Sequence, residues 1–214
     1  MPEIVQLLIV GAGGFGREVA AYAAEAHAAG LLAFPPTGFL DDGAPDLHGC
    51  PLPVLGTIRD HQPRDGQRLI LAIGDPAARA RLAAQLSARG ARFATLVHPR
   101  AYVAGNAVLG QGCIIAPFAS VAPHAVLAEH VLVNTHAAIG HDCRLGEAST
   151  LSPHTVLNGW VRLDREVLLG SGAVVTPHAA IGARSRIAAA AVVYGDIGPD
   201  MLALGNPARC RSND

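Results

Sequence analysis

The run VAGNAVLGQGCIIAPFASVAPHAVLAEHVLVNTHAAIGHDCRLG (103–146), with its continuation to Val193, decides the fold. Every sixth residue from Val103 is a branched aliphatic: Leu109, Ile115, Val121, Leu127, Val133, Ile139, Leu145, and so on through Leu151, Leu163 and Ile181 to Val193. The residue two places before each is small or β-branched, from Ala101 and Ala107 through Cys113, Cys143 and Thr155 to Ala191. The residue just after is often Gly, Asn or Asp, as at Gly110, Asn134, Asp164 and Gly182. Six is not a helical period. It is the hexapeptide period of a parallel β-helix, in which one aliphatic per short strand points into a narrow prism and small residues fit beside it at the corners. Three hexapeptides make one triangular coil, so residues eighteen apart stack in columns about 4.8 Å apart.

Outward from this run, the 214 residues leave room for a first domain of roughly a hundred residues before the coils begin. The expected division is 1–97 and 98–214. A net charge of −1 with 15% charged residues carries no electrostatic footprint for nucleic acid or an anionic membrane. A surface so poor in charge suggests burial between subunits. All 16 basic residues are Arg, which excludes a Schiff-base lysine and a P-loop lysine. Of the four cysteines, Cys113 and Cys143 take the small inward position of the repeat and read as reduced core residues. The opening MPEIVQLLIVGAGG has no basic leader, and its apolar run is too short to span a bilayer, so a cytoplasmic protein is expected.

Ile4 to Val10 reads as a strand ending in GAGGFG, followed by a helix from Arg17 to Ala29. Gly11, Gly13 and Gly16 satisfy G-x-G-x-x-G, a turn that lets a phosphate approach a helix N-terminus. Phe39 to Asp42 reads as a second strand and Leu69 to Ile73 as a third. Gly74 and a helix from Pro76 to Arg89 follow, and Arg92 to Val97 reads as a fourth strand. The first domain is therefore a Rossmann-like α/β half-domain, suited to a mononucleotide, with Gly16, Asp41, Asp42 and Gly74 at the carboxyl edge of its sheet. A purely structural role for the glycines, packing helix on strand, is the alternative.

Within the coils, His124, His130, His136, His154 and His178 all fall three places after a core aliphatic, which marks them as turn or surface residues. His141 stands apart, two places after Ile139 in Gly140-His141-Asp142. An imidazole beside a carboxylate is a candidate general base; a solvent-exposed turn histidine is the other reading.

The combination IVGAGGFGRE, FLDD, AIGD, HPRAYV, NTHAAIGHDCRLGE and a closing GNPAR, on an α/β domain joined to hexapeptide coils, resembles the nucleotide-sugar and sialic acid acetyltransferase family of bacterial surface-glycan pathways. The resemblance covers nearly the whole chain. It implies left-handed winding, a homotrimer with active sites at subunit interfaces, and acetyl-CoA as donor, with no metal. The implied activity is acetyl transfer to an amino group of a nucleotide-linked sugar or to a hydroxyl of a sialic acid-like sugar. It also implies roles for named residues. His141 would be the base and Asp142 its carboxylate partner. Asn134 would lie near the acceptor sugar. Gly13, Gly14, Phe15, Asp41, Asp42 and Gly74 would hold the nucleotide, and Thr150, Ser171 and Ala189 would contact the coenzyme. A covalent route through Cys143 is disfavoured by its inward register. Two competing readings are a γ-carbonic-anhydrase-like metalloenzyme built on His136 and His141, and a non-catalytic trimeric nucleotide-sugar-binding protein.

Overall fold

A computed structural model describes residues 6–212; Ile4 and Val5 of the expected first strand lie outside it. β1 (Gln6–Val10), β2 (Pro36–Leu40), β3 (Val54–Gly56) and β4 (Gln67–Leu71) form a parallel sheet in the order β3-β2-β1-β4. Side chains alternate across a strand, so β1 serves two cores. Leu7 and Ile9 pack with Phe39 and Ile70 under α1 (Gly14–Ala28), through its Val19, Ala23 and Ala26. Leu8 and Val10 pack with Leu40 and Leu71 under α2 (Pro76–Ser87), through its Ala83 and Leu86. α2 is capped by Asp75, whose Oδ1 accepts from the Ala78 N–H at 2.9 Å, with Pro76 in the first turn.

Four expectations change. β2 and β4 end at Leu40 and Leu71, two residues before Asp42 and Ile73, so Asp41 and Asp42 follow their strand. α1 begins at Gly14, three residues before Arg17, because the glycine turn itself supplies the first helical turn. β3 was not anticipated; it is a three-residue exposed edge strand, too short to show a pattern. The expected fourth strand, Arg92 to Val97, divides between two sheets: Phe93 makes a single bridge to Leu69, whereas Leu96–Val97 pairs with Ile114–Ile115 in the coils. The chain switches sheets across Ala94 and Thr95, where Thr95 Oγ1 already donates to the Gly110 carbonyl at 2.9 Å.

From Leu96 the chain is a parallel β-helix with three faces. The first carries Leu96–Val97, Ile114–Ile115, Leu132–Val133, Thr150–Leu151, Leu168–Leu169 and Arg186–Ile187; the second runs from Tyr102–Val103 to Val192–Val193, and the third from Val108–Leu109 to Ala180–Ile181. The eighteen-residue register is seen in Leu127↔Leu145, Val133↔Leu151 and Ile139↔Leu157. In each two-residue strand the second side chain points inward. Ile115, Val121, Leu127, Leu145, Leu151 and Leu169 are at most 3% exposed. Cys113 and Cys143 are wholly buried free thiols in the same core, and burial pushes each thiol up to about 11.

From Gly112 onward the corners of the repeat turn through one residue in the left-handed region, including Phe118, His136, Asp142, His154, Trp160 and His178. That conformation costs an ordinary side chain on the order of 1 kcal/mol; His and Asp are among the residues enriched there. The repeated corner geometry thus explains the six-residue spacing of the histidines. Beyond Val193 the register tightens, with Ile197 bridging Ile181 and Leu202 pairing with Arg186. Met201–Leu204 therefore extends the first face past the point where the repeat ends in sequence, and Arg209–Ser212 folds back on it antiparallel.

The α/β unit sits on the first face. Ile114 and Leu132 point outward from it into the core beneath α1, and the buried His98 meets Glu25 of α1 at 3.0 Å. At the corner between the third and first faces, Arg79 of α2 is buried to 1% exposure. Its guanidinium donates to the His130 carbonyl at 2.9 Å, the Ala148 carbonyl at 2.7 Å, Thr150 Oγ1 at 2.6 Å and, within its own domain, the Ile73 and Gly74 carbonyls. Burial lowers this guanidinium to about 10, which leaves it charged at neutral pH.

Candidate active site

His141 lies at the corner between the second and third faces. Its Nδ1 is 2.8 Å from Asp142 Oδ2, so with the carboxylate as acceptor Nδ1–H donates and Nε2 is left as the free acceptor. The pair is open to solvent, with side chains 49% and 37% exposed. A Cβ on Gly159, one coil away, would fall 2.7 Å from His141 Cε1 and Nε2, so the ring occupies the space that the missing side chain leaves. Trp160 meets the imidazole edge-on at 4.3 Å between centroids and stacks on His178 at 4.9 Å. An imidazole oriented on both sides, with one nitrogen tied to a carboxylate and the other free, can accept a proton from an attacking amine or hydroxyl. The Cys143 thiol donates instead to the Asn158 carbonyl at 3.1 Å inside the coil.

At the α/β domain, Gly11 and Gly16 have packing roles. Gly11 sits at φ 96°, and a Cβ on Gly16 would strike the Gly11 carbonyl oxygen. Gly13 and Gly14 are exposed at the start of α1, whose first turn has no side-chain cap. Phe15 is half-buried and packs against the core beneath α1. Asp41 braces the loop: its Oδ2 accepts from the Ala12 N–H at 2.7 Å and its Oδ1 from the Gly43 N–H at 2.8 Å. Asp42 accepts from the Arg59 N–H at 3.0 Å, and that bond chiefly holds its carboxyl below the usual range.

The remaining expected residues separate. Asn134 Oδ1 accepts from the Thr135 N–H at 2.7 Å, at the corner between the first and second faces. Ser171 and Ala189 are exposed and one coil apart, the Ala190 N–H donating to the Ser171 carbonyl at 2.9 Å. Thr150, the third residue expected at the coenzyme, lies in a more closed setting. It is 4% exposed, its hydroxyl donates to the Gly74 carbonyl at 3.2 Å, and it receives Arg79, because α2 covers this part of the first face. Gly74 is thereby drawn into the same interdomain seam.

Arg79, Gly159 and Trp160 were not singled out from the sequence. The last two were findable, since eighteen residues on from His141 and Asp142 lie Gly159 and Trp160. Arg79 gave no signal, because a buried arginine on an Ala-rich helix looks like a solvated one. His130 was read as a surface or turn residue; it does turn a corner, but it is 2% exposed, edge-on to Phe93 at 4.5 Å. His136 stacks between Phe118 and His154 at a different corner from His141, and among the described residues no group of three His, Cys, Asp or Glu is placed to hold a metal ion.

Comparison with known proteins gives the family and the fold. Residues 6–86 match the family described as the PglD N-terminal domain. The acetyltransferase domain of PglB from Neisseria gonorrhoeae superimposes with a TM-score of 0.85 at 33% identity, over 95% of this chain and 98% of that one. A mutant of perosamine N-acetyltransferase from Caulobacter crescentus, in complex with CoA and GDP-perosamine, gives a TM-score of 0.87 at 29% identity over 98% of both chains. A GDP-perosamine N-acetyltransferase of Escherichia coli O157:H7 is 30% identical over 94 residues, a match spanning 44% of this chain and 42% of that relative. The fold defines a hexapeptide-repeat β-helix protein carrying an N-terminal α/β domain. This chain belongs to the family of nucleotide-sugar N-acetyltransferases that join a PglD N-terminal domain to a left-handed β-helix.

Proposed function

We propose that the protein transfers an acetyl group from acetyl-CoA to an amino group of a nucleotide-linked sugar, with His141 as general base and Asp142 as its orienting carboxylate. The observation that carries this reading is the 2.8 Å contact between His141 Nδ1 and Asp142 Oδ2, which leaves Nε2 free beside an open surface. CoA and GDP-perosamine accompany the C. crescentus relative and acetyl-CoA the N. gonorrhoeae one, which supports the same donor and acceptor class here. The reaction needs an activated acetyl thioester, which acetyl-CoA supplies. The chain's own part is to hold the imidazole, take a proton at Nε2 as the amine attacks, and stabilise the imidazolium through Asp142.

The proposed assembly is a homotrimer with the active site shared between copies. His141 lies on the corner opposite the first face, and the α/β unit sits on that first face and at Arg79's corner. The open glycine turn and the base therefore belong to different sides of one chain, and a second copy is required to bring them together. The second face suits such a contact, since its outward column of Ser120, Ala138, Val156, Val174 and Val192 carries no charge. Sedimentation of the purified protein, with calorimetric titration of acetyl-CoA and of UDP, GDP and dTDP, tests both parts. A trimer that binds acetyl-CoA and one nucleotide, and whose His141→Ala variant binds both without transferring acetyl, is the expected result. Nucleotide binding without acetyl-CoA binding would leave only a binding protein.

A further inference from the structure

The third face is apolar along its outward column except where it passes the dyad. Val108 and Val126 precede, Ala180 follows, and between them Arg144 and Arg162 stand in register on neighbouring strands. Their partners within each strand, Leu145 and Leu163, are the buried ones at 3% exposure, so both guanidinium stems leave the prism on the same side. Like charges facing each other across paired strands are unfavourable. Among the described residues neither arginine has an ion-pair partner, in contrast to Arg59, Arg165, Arg184 and Arg186.

These arginines line a cavity of about 470 Å³ together with Asn106, His124, Asp142 and Trp160. The one carboxylate in it, Asp142, is turned onto His141 Nδ1, so two guanidinium groups face a single, already engaged negative charge. Trp160 is the second unusual feature. It holds the left-handed corner conformation at φ 60° and yet is 47% exposed, so its indole pays for neither backbone comfort nor core packing. Its ring instead forms one wall of the cavity.

We propose that this cavity is an anion subsite that takes a phosphate or diphosphate ester beside the dyad. Arg144 and Arg162 grip the phosphate oxygens in charge-assisted bonds, and the Trp160 ring covers the flat or apolar part of the ester. The proposal rests on the acetyltransferase reading in one respect, that both reactants of that reaction carry such a group: the donor in its ADP portion, the acceptor in its nucleoside diphosphate.

Trp160 is the only tryptophan in the chain, so its fluorescence reads this cavity directly. The full-length protein would be titrated with inorganic pyrophosphate, CoA and GDP, as wild type and as Arg144→Gln/Arg162→Gln. The expected result is a saturable change with pyrophosphate that weakens with added salt and becomes about tenfold or more weaker in the double variant. Whichever of CoA and GDP loses affinity in parallel identifies the source of the phosphate. Wild-type affinity for pyrophosphate in the double variant, or no saturable change in wild type, overturns the subsite. So does a double variant that sediments as a smaller species with pyrophosphate binding unaltered, since a carboxylate of a second copy then holds the arginines. Acetyl transfer measured on the wild type alongside separates the two ideas: transfer without a pyrophosphate response removes the subsite alone, and a pyrophosphate response without transfer removes the proposed reaction alone.

Discussion

His141 Nδ1 reaches Asp142 Oδ2 at 2.8 Å although the two residues are adjacent in the chain, because Asp142 occupies the left-handed turn at φ 59°. Neighbouring side chains of an extended strand point apart; the corner folds them onto one edge. Asp142→Asn keeps a residue that tolerates this turn and removes the charge. Activity is expected to fall on the order of a hundredfold, and for His141→Ala between about 10²- and 10⁴-fold, with unchanged unfolding midpoints in both. Steady-state kinetics beside thermal unfolding checks this, and wild-type turnover in His141→Ala would remove the dyad from the mechanism.

Gly159→Ala tests the position of the imidazole without touching it. The added methyl would come within 2.7 Å of the His141 ring, which must swing away, while the backbone at Gly159 is not in the left-handed region. A loss of kcat of about tenfold or more with little change in acetyl-CoA affinity is expected. Kinetics that match the wild type would mean that the ring's place over Gly159 has no role in turnover.

Arg79 joins the two domains through acceptors on both sides of the seam. Arg79→Leu removes the donor shared by His130, Ala148 and Thr150, at an expected cost on the order of 3 kcal/mol. Calorimetry should show the α/β unit melting ahead of the β-helix in this variant. A single transition at the wild-type temperature would contradict the role assigned to the seam.

His130 gives stability a pH dependence. Burial, together with the nearby Arg79 and despite Glu129, lowers its imidazole below the ordinary value near 6.5. The unfolded chain therefore takes up a proton first as pH falls through 6.5, binds more protons than the folded chain, and stability declines toward pH 5. His61 is lowered as well, chiefly by burial, so the slope has two sources. Urea midpoints at pH 7, 6 and 5 should fall less steeply for His130→Asn, which suits the corner at φ 58°. An unaltered slope would assign the whole effect elsewhere.

The coils were legible from spacing because each residue's place depends only on its position modulo six and eighteen, a local rule that packing then repeats. His141 and Asp142 were legible for the same reason, as polar residues at a corner. The burial of Thr150 was not legible, because its column position says nothing about α2 lying over it. The division of residues 92–97 between two sheets was hidden because an apolar run does not state which sheet it joins.

By itself the sequence determined the β-helix, its inward column from Val103 to Val193, the burial of Cys113 and Cys143 as free thiols, and a glycine turn where β1 leads into α1. All of these follow from periodicity and from chemistry within a few residues. Only the tertiary structure decided that Arg79 is a buried bolt, that Gly159 and Trp160 set the imidazole, and that the glycine turn and His141 face different sides of the chain. Those facts depend on which faces of two separately patterned units meet, and such contacts are made between residues as far apart as Arg79 and Thr150, where no local period reaches.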